Sequence, residues 1–187
     1  MPVRPSAPAW AVPAGALLAA LLAAWLGATV MVWWSAAGTF QALSPARNPG
    51  LAQRLAPLEP ARREAFLRFA AGEVNRRMFR GWARAQAVLA ALALAAAWAA
   101  PRLAGGGTGL RICLALLALT AALQALWLSP EIERLGLELD RAREEAALRR
   151  FGLLHAAFSV TDLVKAALLA AGIWMSRKRE SPIGISA

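Results

Sequence analysis

Charged residues vanish from this chain over long intervals: none lies between Arg4 and Arg47, between Arg84 and Arg102, or between Arg111 and Glu131. A fourth apolar interval, Phe151 to Ser176, carries only His155, Asp162 and Lys165 as ionisable residues. A helix rises 1.5 Å per residue, so about 20 apolar residues cross roughly 30 Å of hydrocarbon. The pattern predicts membrane spans over approximately residues 10–35, 84–103, 110–129 and 152–175. The second is the shortest, and its flanking arginines must reach the headgroup layer by snorkelling. Pro101 and Gly105-Gly106-Gly107 then stop the helix and turn the chain, which makes spans two and three antiparallel neighbours.

Two further segments show helical periodicity with a charged face. Leu67, Ala70, Ala71, Val74, Met78 and Trp82 form one stripe within residues 60–83, with Arg62, Arg68, Arg76 and Arg80 expected opposite. Asn48, Pro49, Gly50, Pro57 and Pro60 break up what precedes it. Over residues 131–150 the stripe is Ile132, Leu135, Leu139, Ala142 and Ala146. Glu131 with Arg134, Glu138 with Arg141, Arg141 with Glu145 and Glu145 with Arg149 are spaced to pair along that helix. Both segments fall on the same side of the membrane and are expected to pack as a small cap. The predicted fold is therefore all-α: a single polytopic membrane domain over residues 1–187, with four transmembrane helices in an antiparallel bundle and two amphipathic extramembrane helices on one side.

Smaller signals refine this map. The first apolar stretch is too long for a secretory h-region and has only Arg4 before it, so a retained span is expected in preference to a cleaved signal. Pro13 fits its first turn, and Gly15, Ala19, Ala23 and Gly27 offer a small-residue face for close helix packing. Tryptophans sort into two interfacial belts, Trp10, Trp98 and Trp174 at one and Trp33, Trp34, Trp82 and Trp127 at the other, leaving Trp25 deep.

Composition agrees, since 59% apolar residues is more than a soluble domain of 187 residues can bury. The net charge of +10 lies in segments flanking the spans, without the aromatic interleaving of a nucleic-acid site, so anionic lipid headgroups are the expected partner and nucleic acid is not. The cap side carries 14 Lys and Arg against 6 on the other face, which places the cap in the cytoplasm by count, although Arg177-Lys178-Arg179 directly follows span four. A single cysteine, Cys113, excludes an internal disulfide and a thiolate cluster.

The candidate chemistry lies in span four. His155, Ser159, Asp162 and Lys165 follow steps of four, three and three along one broad face. A lone charge at mid-bilayer costs about 2.5–3.5 kcal/mol, whereas each Leu, Ile, Phe or Val returns only about 0.3–0.6. Asp162 and Lys165 must therefore be compensated, by each other or by proton uptake. By depth Thr120 should lie near Asp162, and Gln124 near His155 and Ser159, giving an interhelical polar cluster of six residues. Such a cluster either carries function or fixes helix rotation. No phosphate loop or hydrolytic triad appears, and one histidine alone is a poor metal or haem site, so no cofactor, metal or enzymatic activity is expected.

Four segments, GATVMVWWSAAGTFQAL (Gly27–Leu43), FAAGEVNRRMF (Phe69–Phe79), LSPEIERL (Leu128–Leu135) and RRFGLLHAAFSVTDLV (Arg149–Val164), resemble the bacterial membrane proteins of domain-of-unknown-function family 4149, related to the eukaryotic transmembrane protein 205. The resemblance implies four spans and no established activity, with metal or drug tolerance suggested for the eukaryotic relatives. Three roles fit the sequence: an accessory or structural subunit of a membrane assembly, with other membrane subunits or a homo-oligomer as partners; a small transporter or channel component for protons, cations or small solutes using Asp162 and Lys165; and a membrane anchor of a redox complex using His155. The location expected is the bacterial inner membrane.

Overall fold

The computed structural model describes residues 14–99 and 108–177. Trp10, Pro13, the turn at Pro101 and Gly105-Gly106-Gly107, and the basic pair Lys178-Arg179 lie outside the described residues. Six α-helices follow in order: α1 Ala14–Ala42, α2 Pro49–Arg54, α3 Pro60–Ala99, α4 Thr108–Leu123, α5 Ser129–Arg141 and α6 Glu145–Arg177. A π-helical turn, Gln124–Leu128, joins α4 to α5 without a break. No strand occurs among the described residues.

Three of these helical stretches, Gly15–Ala42, Thr108–Arg141 and Glu145–Arg177, are long and apolar enough to cross a membrane. The predicted second span is helical from Arg84 to Ala99 as the continuation of α3. At 40 residues α3 is about 60 Å long, so the stripe of residues 60–83 and the apolar stretch after Arg84 form one continuous rod. α1 packs on α3 and α6, and α4 packs on the same two helices, which closes a ring around the core. Leu22, Trp25, Leu114, Leu117 and Leu169 fill its centre. The outer faces carry Val30, Met31, Val88, Leu92, Leu119, Leu126, Val160 and Val164 exposed, while Gln86, Gln124, Asp162 and Lys165 are buried. Large apolar side chains outside, with the paired charges of α6 inside, are compatible with helices that face lipid.

Several expectations are corrected. The breakers after α1 start a short helix: Asn48 caps α2, its Oδ1 accepting from Leu51 N–H at 3.1 Å, with Pro49 in the first turn. The small-residue face of α1 is packed only in its first half, since Gly15 and Ala19 are buried but Ala23 and Gly27 are exposed, and Leu18, Leu22, Trp25 and Thr29 carry the buried line. Close approach is supplied instead by Gly172 on α6, where an added Cβ would stand 2.9 Å from Leu22 Cδ1. In α3 the buried line runs Leu67, Ala71, Asn75, Trp82, Gln86 and Ala90, leaving Val74 half exposed.

The second amphipathic helix does not run over 131–150. α5 stops at Arg141, Ala142 is extended, and Glu145 begins α6, leaving Ala142 and Ala146 exposed. Its ion pairs change accordingly: Glu138 pairs with Arg134 rather than Arg141, and Glu131 is shared by Arg134 and Arg150. Glu145 keeps Arg149. α5 folds against α3 and α6, and Arg76, expected on the free side of α3, turns toward α5 and donates to Asp140 at 2.9 Å. Arg80 pairs with Glu133 across the same seam.

Pro130 accounts for the π turn. Its ring would collide with the carbonyl of residue 126 in a regular helix. Widening the turn lets Ser129 N–H reach the Gln124 carbonyl five residues back.

Candidate functional site

Asp162 and Lys165 sit one turn apart on the inner face of α6, and the ring of helices closes over them, leaving 2% and 0% of each exposed. Lys165 Nζ donates to Asp162 Oδ1 at 2.5 Å, to Gln86 Oε1 at 2.8 Å and to Gln124 Oε1 at 2.8 Å. Those are the three donors an ammonium group owns. Trp82, from α3, places its ring 5.8 Å from Nζ, within cation–π range. The carboxylate is equally served: Gln124 Nε2 donates to Oδ1 at 2.8 Å and Trp33 Nε1 to Oδ2 at 2.6 Å. Gln124 Nε2 also donates to Thr161 Oγ1 at 3.0 Å. The ion pair is thus bound by groups from α1, α3, the π turn and α6.

This arrangement resolves the insertion cost. An ion pair in a low-dielectric interior is tolerated when its remaining hydrogen-bonding positions are filled, and each of the four elements supplies one or more of them. The π turn matters here because it begins at Gln124, the residue that touches both charges.

Of the six residues predicted from sequence, Asp162, Lys165 and Gln124 come together. Thr120 does not join them; its hydroxyl donates back to the Leu116 and Leu117 carbonyls of its own helix. His155 and Ser159 lie on the exposed side of α6, His155 stacked on Phe151 at 6.0 Å and Ser159 bonded to the His155 carbonyl at 2.9 Å. The four-three-three steps sweep too wide an arc: successive turns carry Asp162 inward and His155 outward. Gln124 pairs with Asp162 rather than with His155 and Ser159.

Sequence reading missed Gln86, Trp33, Trp82 and Thr161. Their position along the chain places Trp33 and Trp82 in an interfacial belt, but Trp82 is 8% exposed and both turn toward the ion pair. Trp34, Trp98, Trp127 and Trp174 do face outward, and Trp25 is fully buried. Gln86 carried a usable signal: it is the one polar side chain between Arg84 and the end of α3.

Asp162, Trp33, His155 and Ser159 also border a groove of about 690 Å3 that runs from the ion pair toward α5. No group of three or more His, Cys, Asp and Glu residues able to hold a metal occurs among the described residues. Cys113 is buried, its thiol donating to the Leu168 carbonyl. Among the described residues, fold and network define an all-helical protein with three helices long and apolar enough to cross a membrane and a buried, hydrogen-bonded ion pair, which is compatible with a multi-pass membrane protein. Comparison with family models, curated proteins and solved structures found no match for the chain.

Proposed function

We propose that this chain is a non-enzymatic integral membrane protein serving as an accessory or structural subunit of a membrane assembly, in which Asp162 and Lys165 lock the helices together. The observation that carries this reading is that Gln86, Gln124 and Trp33, from three other elements, hydrogen-bond the pair and complete the donors of the Lys165 ammonium. A charge whose bonds are all satisfied inside the protein braces it, whereas a carrier residue must exchange partners.

The reading includes four crossings in an antiparallel bundle, with the part of α3 beyond Arg84 as the second. The amphipathic part of α3 and α5 form a cap on one side, in the cytoplasm by the arginine count, and the host is a bacterial inner membrane. The resemblance to domain-of-unknown-function family 4149 belongs to the same proposal. Partners are lipid headgroups and other membrane subunits or further copies of the chain, which would cover part of the apolar exterior. Purification in mild detergent tests this: a larger complex with defined stoichiometry supports it, and a monomer without companions in both detergent and nanodiscs overturns it.

One observation favours a second reading, a component of a pathway for protons or small cations. Asp162 borders the groove beside Ser159 and His155, which gives a buried carboxylate a polar approach from outside. Proton flux through proteoliposomes that survives in an Asp162→Leu, Lys165→Met double variant removes this reading. Nothing similar favours the redox anchor, since His155, the single histidine, is exposed and stacked on Phe151.

A further inference from the structure

The groove beside the ion pair is not merely an approach to it. Its volume of about 690 Å3 lies within the range of small-molecule sites, roughly 300–1,000 Å3. Phe40 of α1, Phe79 of α3, Ile132 of α5 and Phe151 and Phe158 of α6 give it apolar walls. Phe79 and Phe158 meet edge to face at 5.6 Å and form a firm floor. On its rim Phe40 and Leu163 are exposed to 57% and 61%, continuous with the apolar exterior.

The opposite end is basic. Arg68, Arg76, Arg80 and Arg143 border it, against Glu133 and Asp140. Those two acids are taken by Arg80 and by Arg76, whose Nε also donates to Glu73 at 3.3 Å, and Arg143 has no ion pair among the described residues. Two bordering residues also carry buried polar atoms without a hydrogen-bond partner. Asn75 is 7% exposed and neither its Nδ2 nor its Oδ1 is bonded, and Arg76 Nη2 is likewise unbonded. Buried polar atoms of this kind are normally satisfied, so the pair calls for an occupant that offers acceptors to Arg76 and both an acceptor and a donor to Asn75.

We propose that the groove holds one anionic phospholipid drawn from the surrounding bilayer. One acyl chain lies among the phenylalanines, the phosphate sits at Arg76 and Arg143, and glycerol and headgroup oxygens meet the Asn75 amide. Arginine pairs with phosphate oxygens in a fork; a zwitterionic headgroup offers the same phosphate but adds a cation that Arg143 and its neighbouring arginines repel. The inference rests on the bilayer reading above but not on the bracing role of Asp162.

Native mass spectrometry of the full chain, with phosphatidylglycerol and phosphatidylcholine of matched acyl chains added in mild detergent, tests it. The expected result is a one-to-one phosphatidylglycerol adduct binding about tenfold more tightly than phosphatidylcholine. Ala36→Phe, which fills the groove from α1, should abolish that adduct. Arg143→Gln alters an exposed side chain and so preserves folding; it should erase the preference between the two lipids. Equal binding of both lipids, an adduct unchanged in both variants, or recovery of a free fatty acid or a second copy of the chain in the groove would overturn the proposal. A lipid failure leaves the melting behaviour of Asp162 variants untouched, so the two readings fail separately.

Discussion

At the residue scale the ion pair behaves as a unit. Removing one partner strands the other charge in an apolar interior, which typically costs about 3–5 kcal/mol, whereas replacing both with apolar residues of similar volume is often neutral. Asp162→Asn should therefore lower the melting temperature sharply, and Asp162→Leu with Lys165→Met should recover most of it. Thermal melts of the three proteins in one detergent decide this, and additive losses in the double variant would show that the pair is not a brace. Packing makes a second prediction. Leu22 is fully buried where α6 approaches, so a Cβ at Gly172, 2.9 Å from Leu22 Cδ1, forces a shift in a closed core. Gly172→Val should destabilise by about 1–3 kcal/mol, whereas Gly27→Ala, with open space around it, should not.

At the scale of elements, the seam between α3 and α5 depends on charges that both helices hold in place. The Arg77 guanidinium, and after it Arg76, holds the Glu73 carboxyl below its ordinary value of 4.5. A depressed carboxylate adds stability above its unfolded pKa and loses it as pH falls through the folded one. The wild type should thus lose stability as pH drops below about 4.5, and Glu73→Gln should flatten that limb of a melting profile. An identical acid limb in the variant would mean that Glu73 does not contribute. The break between α5 and α6 belongs to this scale too. Residues 141–145 contain no glycine or proline and all favour helix, so no local signal marks the bend. It arises because α5 gains contacts with α3 and α6, and Glu131 gains Arg150, only if the chain folds back.

At the scale of the molecule, the bilayer reading predicts sidedness. With Cys113 changed to serine, single cysteines at Gln53 and Arg143 should react with an impermeant maleimide from one side of sealed vesicles, and one at Gly106 only from the other. Labelling of all three from the same side would refute the single crossing expected between Gln53 and Gly106 and between Gly106 and Arg143.

What the chain determines by itself is which of its stretches suit a lipid solvent, because hydrocarbon selects for length and continuity of apolar residues, and both are local properties. The intervals around residues 15–42, 108–128 and 151–176 needed no partner to be read. Asp162 and Lys165 were legible for the same reason, as charges where charges are costly. Their company was not. Whether Trp33 and Trp82 look toward lipid or toward an ammonium group depends on how α1 and α3 are rotated against α6, and Gln124 reaches both charges from a turn that Pro130 widens. Helix rotation is set by the whole packed ring, with neighbours far apart in sequence, so only the tertiary structure decided which side chains complete the site.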